Sequence, residues 1–363
     1  MKVGTPMSPI GKRIRFGLAV RLLLVGVLVW PLSGVAQAAS PTTFSGQATV
    51  LKGTVAGIPV ALVDTGPISS GGGELEANLL CYPNGTNCTI TSPVGDPTTG
   101  MLSAEVLHAA VVAHGNKSSA EASIAELNLK NVAGNTISAS FITATATATC
   151  NGSTASVAGS TEIASLVING QQFAVTGEVQ QTIALPGGGS VIINDQTASA
   201  SANNGGITVT ALHVQIPGLV PGTDTDLVVA QAHADISCGQ ANCSGTDKVT
   251  GGGWVTKLDG SRLNFAVAAR QDGGWGHFMF IDHGTGDKFK ATLVNALTFD
   301  ATGAAVVTGV GDFNGASSTP FEVLVKDNGE PGRNTDTFEL VMPTKLSQVT
   351  LSGGNIQFHK PCK

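Results

Sequence analysis

Residues 41–359 are filled by short runs in which apolar and polar residues alternate, separated by clusters of Gly, Asn, Asp and Ser. A period of two marks β-strands with one buried face, and the clusters mark turns. Ala48–Val63 predicts a hairpin about Ala56-Gly57. Ala120–Leu129, Ile137–Cys150, Glu162–Ile168, Val191–Asn194, Ile207–Val214 and Asp226–Cys238 predict further strands. Gly187-Gly188-Gly189 and Asn203-Asn204-Gly205-Gly206 are turn signals between them. Ala104–Ala113 fits either a short helix or a strand. Two runs share a code. Ile142, Ala144, Ala146, Ala148 and Cys150 fall on one strand face, and Val228, Ala230, Ala232, Ala234, Ile236 and Cys238 do the same. Their opposite faces carry Thr143, Thr145, Thr147 and Thr149 on one run, and Gln231, His233, Asp235 and Ser237 on the other.

Beyond residue 244 the alternation continues with aromatic residues on its apolar side. Leu263, Phe265, Val267 and Ala269 share a face, as do Phe321, Val323 and Val325, and Phe338, Leu340 and Met342. The last two runs flank Asp327–Asp336 and predict a hairpin with an irregular loop. Strands near His277–Asp282, Lys290–Thr298 and Ala304–Gly311 complete a small barrel or sandwich. Gly251-Gly252-Gly253 before Trp254 predicts a bend where the backbone passes an aromatic side chain.

Composition divides the chain. Residues 41–243 hold three Lys/Arg against 13 Asp/Glu and only four aromatics; residues 244–363 hold 11 against 12 and eleven aromatics. Two such compositions predict two domains, 39–240 and 241–363, each long enough for its own core. The fold class is therefore all-β, two sandwich- or barrel-like domains. They follow a predicted signal peptide, 1–38: Lys2, Lys12, Arg13 and Arg15 precede the apolar run Leu22–Trp30 and an Ala36-Gln37-Ala38 cleavage site. Arg21 and Pro31 leave this run well short of the roughly 20 apolar residues of a transmembrane helix. The mature chain is expected to have no membrane span and to be secreted, with retention at the cell envelope an alternative. Removing the five basic residues of the leader leaves 14 Lys/Arg against 25 Asp/Glu, a formal balance of −11. That balance argues against nucleic acid or an anionic membrane as partner.

Three stretches of the second segment carry a resemblance: Gly245-Thr-Asp-Lys-Val-Thr-Gly-Gly-Gly-Trp254, the loop from Val325 through Asp327-Asn328-Gly329-Glu330-Pro331-Gly332 to Phe338, and Gly353-Gly-Asn-Ile-Gln-Phe-His359. Their succession resembles the small β domain that follows the choice-of-anchor P domain in exported bacterial proteins. The earlier runs resemble the choice-of-anchor P domain itself in their order: the Ala48–Val63 hairpin, the strand ending at Cys150, Ile163–Gly170, Ile192–Gln196 and Ile207–Val214. The resemblance implies an exported, surface-type β module. It implies no catalytic residue and no ligand.

Six cysteines follow the leader, an even count that in an exported chain predicts disulfides, with 15 connectivities open. Cys150 and Cys238 end the two Ala-coded strands on their inner faces, which predicts their pairing. The preferred set adds Cys81–Cys88, around the Tyr82-Pro83-Asn84-Gly85 turn, and Cys243–Cys362, which would tie the two ends of the second domain.

Candidate chemistry is sparse. Asp327, Asn328, Glu330 and Asp336 place oxygen ligands in a Gly-containing loop, which suits calcium, although Asn-Gly and Pro-Gly are also strong turn formers. His277, Asp282, His283 and Asp287 could supply zinc ligands, but six residues of continuous strand separate the two His by about 20 Å. His233 and Asp235 share a strand face without an identifiable nucleophile, and no G-x-S-x-G elbow, P-loop or H-E-x-x-H occurs. Trp254 and Trp275 would stack on sugars or protein partners if exposed, and would fill a core if buried. The expectation is a non-enzymatic structural or adhesive module with an extracellular protein or glycan partner. A calcium- or carbohydrate-binding module is the alternative, and a secreted hydrolase a third reading.

Overall fold

The computed structural model describes residues 40–83, 95–342 and 344–362. The predicted signal peptide, 1–38, and Cys88 of the predicted Cys81–Cys88 pair lie outside them. The alternating runs form twenty-two strands, and no helix occurs among the described residues. The first thirteen are β1 (Thr43–Val55), β2 (Ile58–Asp64), β3 (Gly73–Tyr82), β4 (Leu102–His114), β5 (Lys117–Val132), β6 (Asn135–Asn151), β7 (Thr154–Ala164), β8 (Val167–Ile168), β9 (Gln171–Gln172), β10 (Gln181–Ala184), β11 (Ser190–Ser201), β12 (Asn204–Ile216) and β13 (Thr225–Ser237). The rest are β14 (Lys248–Thr256), β15 (Arg262–Arg270), β16 (Gly276–Asp282), β17 (Lys288–Phe299), β18 (Ala305–Phe313), β19 (Ala316–Lys326), β20 (Thr337–Val341), β21 (Leu346–Thr350) and β22 (Gly353–His359).

They assemble into three antiparallel sheets. The first runs β10-β11-β12-β13-β1-β2; the second runs β3-β4-β5-β6-β8-β9, with β7 also on β6; the third runs β21 back to β14 and then β22. The first and second sheets face each other as a sandwich, with β1, β12 and β13 against β4–β7. The stretch that fits helix or strand, Ala104–Ala113, lies in β4. Ile142, Ala144, Ala146, Ala148 and Cys150 all enter the sandwich core. Their small side chains let the opposing sheet approach closely, which is why this core holds so few aromatics. In β13 the predicted alternation holds only from Ala230 onward. Ala230 adopts φ 51° and has no ladder partner on β1 or β12. The register is the same on either side of Ala230, so this is a kink with no inserted residue, before which Leu227 and Val229 rather than the half-buried Val228 face inward.

The third sheet encloses its own core. Phe265, Phe278, Phe280, Phe289, Phe321 and Phe338 converge there, with Phe265 and Phe338 stacked at 4.2 Å. The Asp327–Asp336 hairpin loop joins β19 to β20. The opening and closing motifs of the segment are ladder partners, with Gly251 opposite Ile356, Gly252 opposite Asn355 and Trp254 opposite Gly353. The Gly251–Gly253 run is therefore not a bend but straight strand within β14. Its middle glycine is required by close approach, since a methyl group at Gly252 would collide with Ser123 Oγ of β5. The glycine that passes an aromatic ring is Gly353, over which the Trp254 indole lies.

Residues 39–363 form one compact unit in which both predicted domains take part. A third apolar cluster joins them: Leu80, Val106, Ala125 and Phe141 of the second sheet meet Trp254, Ala266, Met279 and Ile281 of the third. The second sheet is thus buried on both faces. Cys150–Cys238 and Cys243–Cys362 are disulfides, with Cα–Cα distances of 5.6 and 5.3 Å, and each lies within one segment. Both described ends of the chain return to the short stretch between these bridges. Ser40 O accepts from Gln240 N at 2.8 Å and Thr42 N donates to Gln240 O at 3.2 Å, while Cys362 is bonded to Cys243.

The Cys150–Cys238 bridge closes 88 residues of sequence. Replacing both cysteines by Ala is expected to destabilise the mature chain by about 2–5 kcal/mol, read from urea unfolding of the oxidised proteins. A loss near zero would mean that the sandwich restrains these strand ends without the bond.

Candidate functional site

The polar residues of the chain converge between the second and third sheets. Alternation puts Glu76 (β3), His108 (β4) and Lys117, Glu121 and Ser123 (β5) on the face of the second sheet that points away from the sandwich core, and a register shift in β4 between Glu105 and His108, with Val106 at φ 45°, brings Glu105 to the same face. The third sheet meets this face with Lys248 and Gly252 (β14), Arg262 and Arg270 (β15), His277 (β16) and Asn355 and Gln357 (β22). Every ion pair or carboxylate–histidine contact crossing between the segments, among the described residues, has the same polarity, with the carboxylate on the first segment and the basic side chain on the second. Glu74 binds Arg270 and lies 3.7 Å from Lys248. Glu76–His277 is 2.7 Å, Glu105–His283 3.5 Å, Glu126–Arg262 3.2 Å and Glu162–Arg333 3.5 Å. The charge imbalance visible in the composition is therefore partly an interface. Pairs that remain partly exposed contribute up to about 1 kcal/mol each, so their larger effect is to fix orientation.

At the centre lies a buried chain of three groups. The Glu76 carboxylate only accepts, so His277 Nδ1–H donates to Glu76 Oε2; with neutral rings, His108 Nδ1–H then donates to His277 Nε2 at 2.8 Å. His108 Nε2 is left as a lone pair with no hydrogen-bond partner among the described residues. Burial holds His108 well below the usual imidazole range, reinforced by His277 and opposed by Glu76. Burial would raise the Glu76 carboxyl, but the His277 hydrogen bond and charge, with help from Asn78 and His108, bring it down to about 2. Ser123 is the ladder partner of His108, and its hydroxyl is also unpartnered among the described residues. A serine beside a histidine chain invites a nucleophilic reading. However, His108 is 0% and Ser123 1% exposed, and Gly252 of β14 lies against both, so no substrate reaches them in this arrangement.

Two positions further along β5, Glu121 is buried with neither carboxylate oxygen in good hydrogen-bond geometry. Burial pushes its carboxyl well up, and Glu330 and then Asp336 push it further against the partial relief of the Gly252 amide. Burial also raises Asp336, to about 6, although the Asn328 and Ile356 amides oppose this.

The predicted calcium loop lies beside this carboxylate. Asp336 is 0% exposed; it accepts from Asn328 N and Ile356 N, each at 2.8 Å. Asp327 accepts from Phe358 N at 3.1 Å, and Glu330 Oε1 accepts from Asn355 Nδ2 and Gln357 Nε2 at 3.1 and 3.2 Å. Asn328 Nδ2 donates to Thr335 O at 2.9 Å. These four side chains thus tie the loop to itself and to β22. Among the described residues, no group of three or more His, Cys, Asp or Glu side chains is placed to hold a metal ion.

The other sequence candidates disperse. His277 and Asp282 are buried groups with separate partners, Asp282 bound to Lys257 at 2.8 Å. His283 accepts from Asn264 Nδ2 at 3.0 Å, and Asp287 accepts from Asn314 and Thr344. Trp254 is 6% exposed, packed on Phe141 at 5.1 Å beneath Arg262, so it offers no open stacking platform; Trp275 is half-buried after β15. His233 lies 3.1 Å from Asp235, and Ser45 Oγ lies 3.2 Å from Asp235 and 3.5 Å from His233. Asp235 and Ser45 share the same ring nitrogen, and Thr208 occupies the other. A Ser-His-Asp triad needs the acid and the serine on opposite nitrogens.

A cavity of about 510 Å³ opens where β6 and β7 face β22 and the Glu330-Pro331 turn. No protein family, curated protein or solved structure matches this chain.

Two carboxylates in the seam should respond to pH in opposite ways. Glu121 holds its proton more tightly folded than unfolded, so stability falls as pH rises above its unfolded value of 4.5. Glu121→Gln removes that fall. Its advantage over the native chain should grow by up to about 1.4 kcal/mol per pH unit above that point. Glu76 stabilises above pH 4.5, and this contribution is lost as pH falls toward its folded value of about 2. Glu76→Gln should cost about 1.5–3 kcal/mol at neutral pH and converge with the native chain in acid. Urea midpoints across pH measure both, and pH-independent offsets would show that neither ionisation matters.

Proposed function

We propose that this chain is an exported, non-enzymatic structural or adhesive β module. The observation that supports this best is the seam. Its titratable groups are spent on joining two segments through pairs of one polarity, and its one histidine chain is sealed beneath β14. Two disulfides within a β frame fit an extracellular setting, where such bonds persist. The resemblance of the segment order to choice-of-anchor P proteins with their following β domain points the same way. The calcium reading has less support, because the carboxylates of the 327–336 loop already accept backbone and amide hydrogens.

Expression of the full chain in a bacterial host tests the address. The exported product is expected to begin at residue 39, read by intact mass. Retention of the leader on a cytoplasmic product would sink the exported reading. The mature chain is also expected to resist labelling by a fluorophosphonate; labelling lost in Ser45→Ala or Ser123→Ala would make it a hydrolase instead. Its melting temperature should be the same in millimolar calcium and in chelator. A calcium-dependent rise that Asp336→Ala abolishes would restore the metal site.

A further inference from the structure

The seam cavity has two walls of different chemistry. One is a ladder of hydroxyls. Thr143, Thr145 and Thr147 stand at alternate positions of β6, spaced by roughly 7 Å, and Thr145 shares a 2.7 Å hydrogen bond with Ser160 of β7. The facing wall is a pair of carboxamides, Asn355 and Gln357, at alternate positions of β22. Glu330 Oε1 accepts one hydrogen from each amide, and Gly332 N donates to Asn355 Oδ1 at 2.7 Å. Both amides are therefore held in fixed orientation, and each keeps a second N–H. They are also buried, at 5% and 6% exposure, as is Thr143 at 4%. Lys117 lines the same space and makes no ion pair within 4 Å among the described residues; Glu330 and Asp327 act on it only at longer range.

Such walls offer donors and acceptors in alternation, one cation, the carboxylates of Glu162 and Glu330, and no large aromatic ring. A hydrophobic ligand would leave the amides and the ammonium without partners, at about 1–3 kcal/mol for each group. A ligand bearing several hydroxyls satisfies both walls, because each hydroxyl donates one hydrogen and accepts others. The volume lies within the range of small-ligand sites, which favour boundaries between domains. We propose that this cavity is a saccharide site that holds one pyranose residue between the Thr143–Thr147 ladder and the Asn355/Gln357 amides, with Lys117 donating to its oxygens. The site gives the adhesive reading a ligand class, but it rests on the cavity alone and stands if the leader or calcium experiments fail.

Saturation-transfer NMR of the mature chain tests it, with glucose, galactose, mannose, N-acetylglucosamine and glucuronic acid as probes. At least one is expected to receive transfer and to saturate at millimolar concentration. Ser160 is exposed at the cavity edge, so Ser160→Trp fills the space from a tolerant position and should abolish the signal. Lys117→Met should weaken binding about tenfold, as expected for a lost charged hydrogen bond. Ser199→Trp, on the first sheet and outside the cavity lining, should leave binding unchanged, and urea midpoints establish that each variant is folded. The proposal is overturned if no probe receives transfer. It is equally overturned if binding survives in folded Ser160→Trp and Lys117→Met at native strength, which would place the sugar elsewhere.

Discussion

A sheet that packs on one side can leave its other face to water, and most alternating strands are built for that. The second sheet is not free to do so, because its outer face meets β14–β16 and β22. The close approach of β14 to β5, where Gly252 sits against Ser123, sets how near the two layers come. The apolar patch around Phe141 and Trp254 supplies cohesion at that distance. The polar pairs around it contribute little net stability, since ion pairs removed from water repay their desolvation only partly. They do select one docking position, because a slip would set carboxylates against one another or against backbone carbonyls.

Alternation was sufficient to expose the strands, because burial on one face leaves a period of two that composition cannot hide. The Ala code of β6, the Phe code of the third sheet, the 327–336 hairpin and the Cys150–Cys238 disulfide follow from it. The exceptions are local. Ala230 takes a backbone conformation that Ala rarely adopts, and nothing in its neighbours marks the kink. Gly251–Gly253 reads as a bend passing an aromatic side chain, yet the role of Gly252 is steric and is set by Ser123 on another sheet.

The seam was much less legible. His108, Glu121, Thr143 and Thr145 occupy positions that alternate with core residues, so one dimension assigns them to a solvated face. Their burial depends on a partner more than a hundred residues away. The excess of carboxylates before residue 243 was the one available signal. It reads as solubility until the Arg, Lys and His residues of the second segment are placed opposite. The polar loop at 327–336 misleads in the other direction. Its carboxylates have the composition of a cation site, but Asp327, Glu330 and Asp336 are committed to the amides of β22.

The return of both chain ends to the stretch between Cys238 and Cys243 bears on how this molecule would carry tension. A pull applied at Ser40 and at Cys362 enters through the Gln240 hydrogen bonds on one side and the Cys243 bridge on the other. These two points are three residues apart in sequence. The load path is therefore short and runs through the connector, bypassing all three sheets. The hydrogen bonds to Gln240 are its weakest link. The sheets lie in parallel with this connector and not in series with it, so the seam is relieved of part of whatever tension holds the two ends.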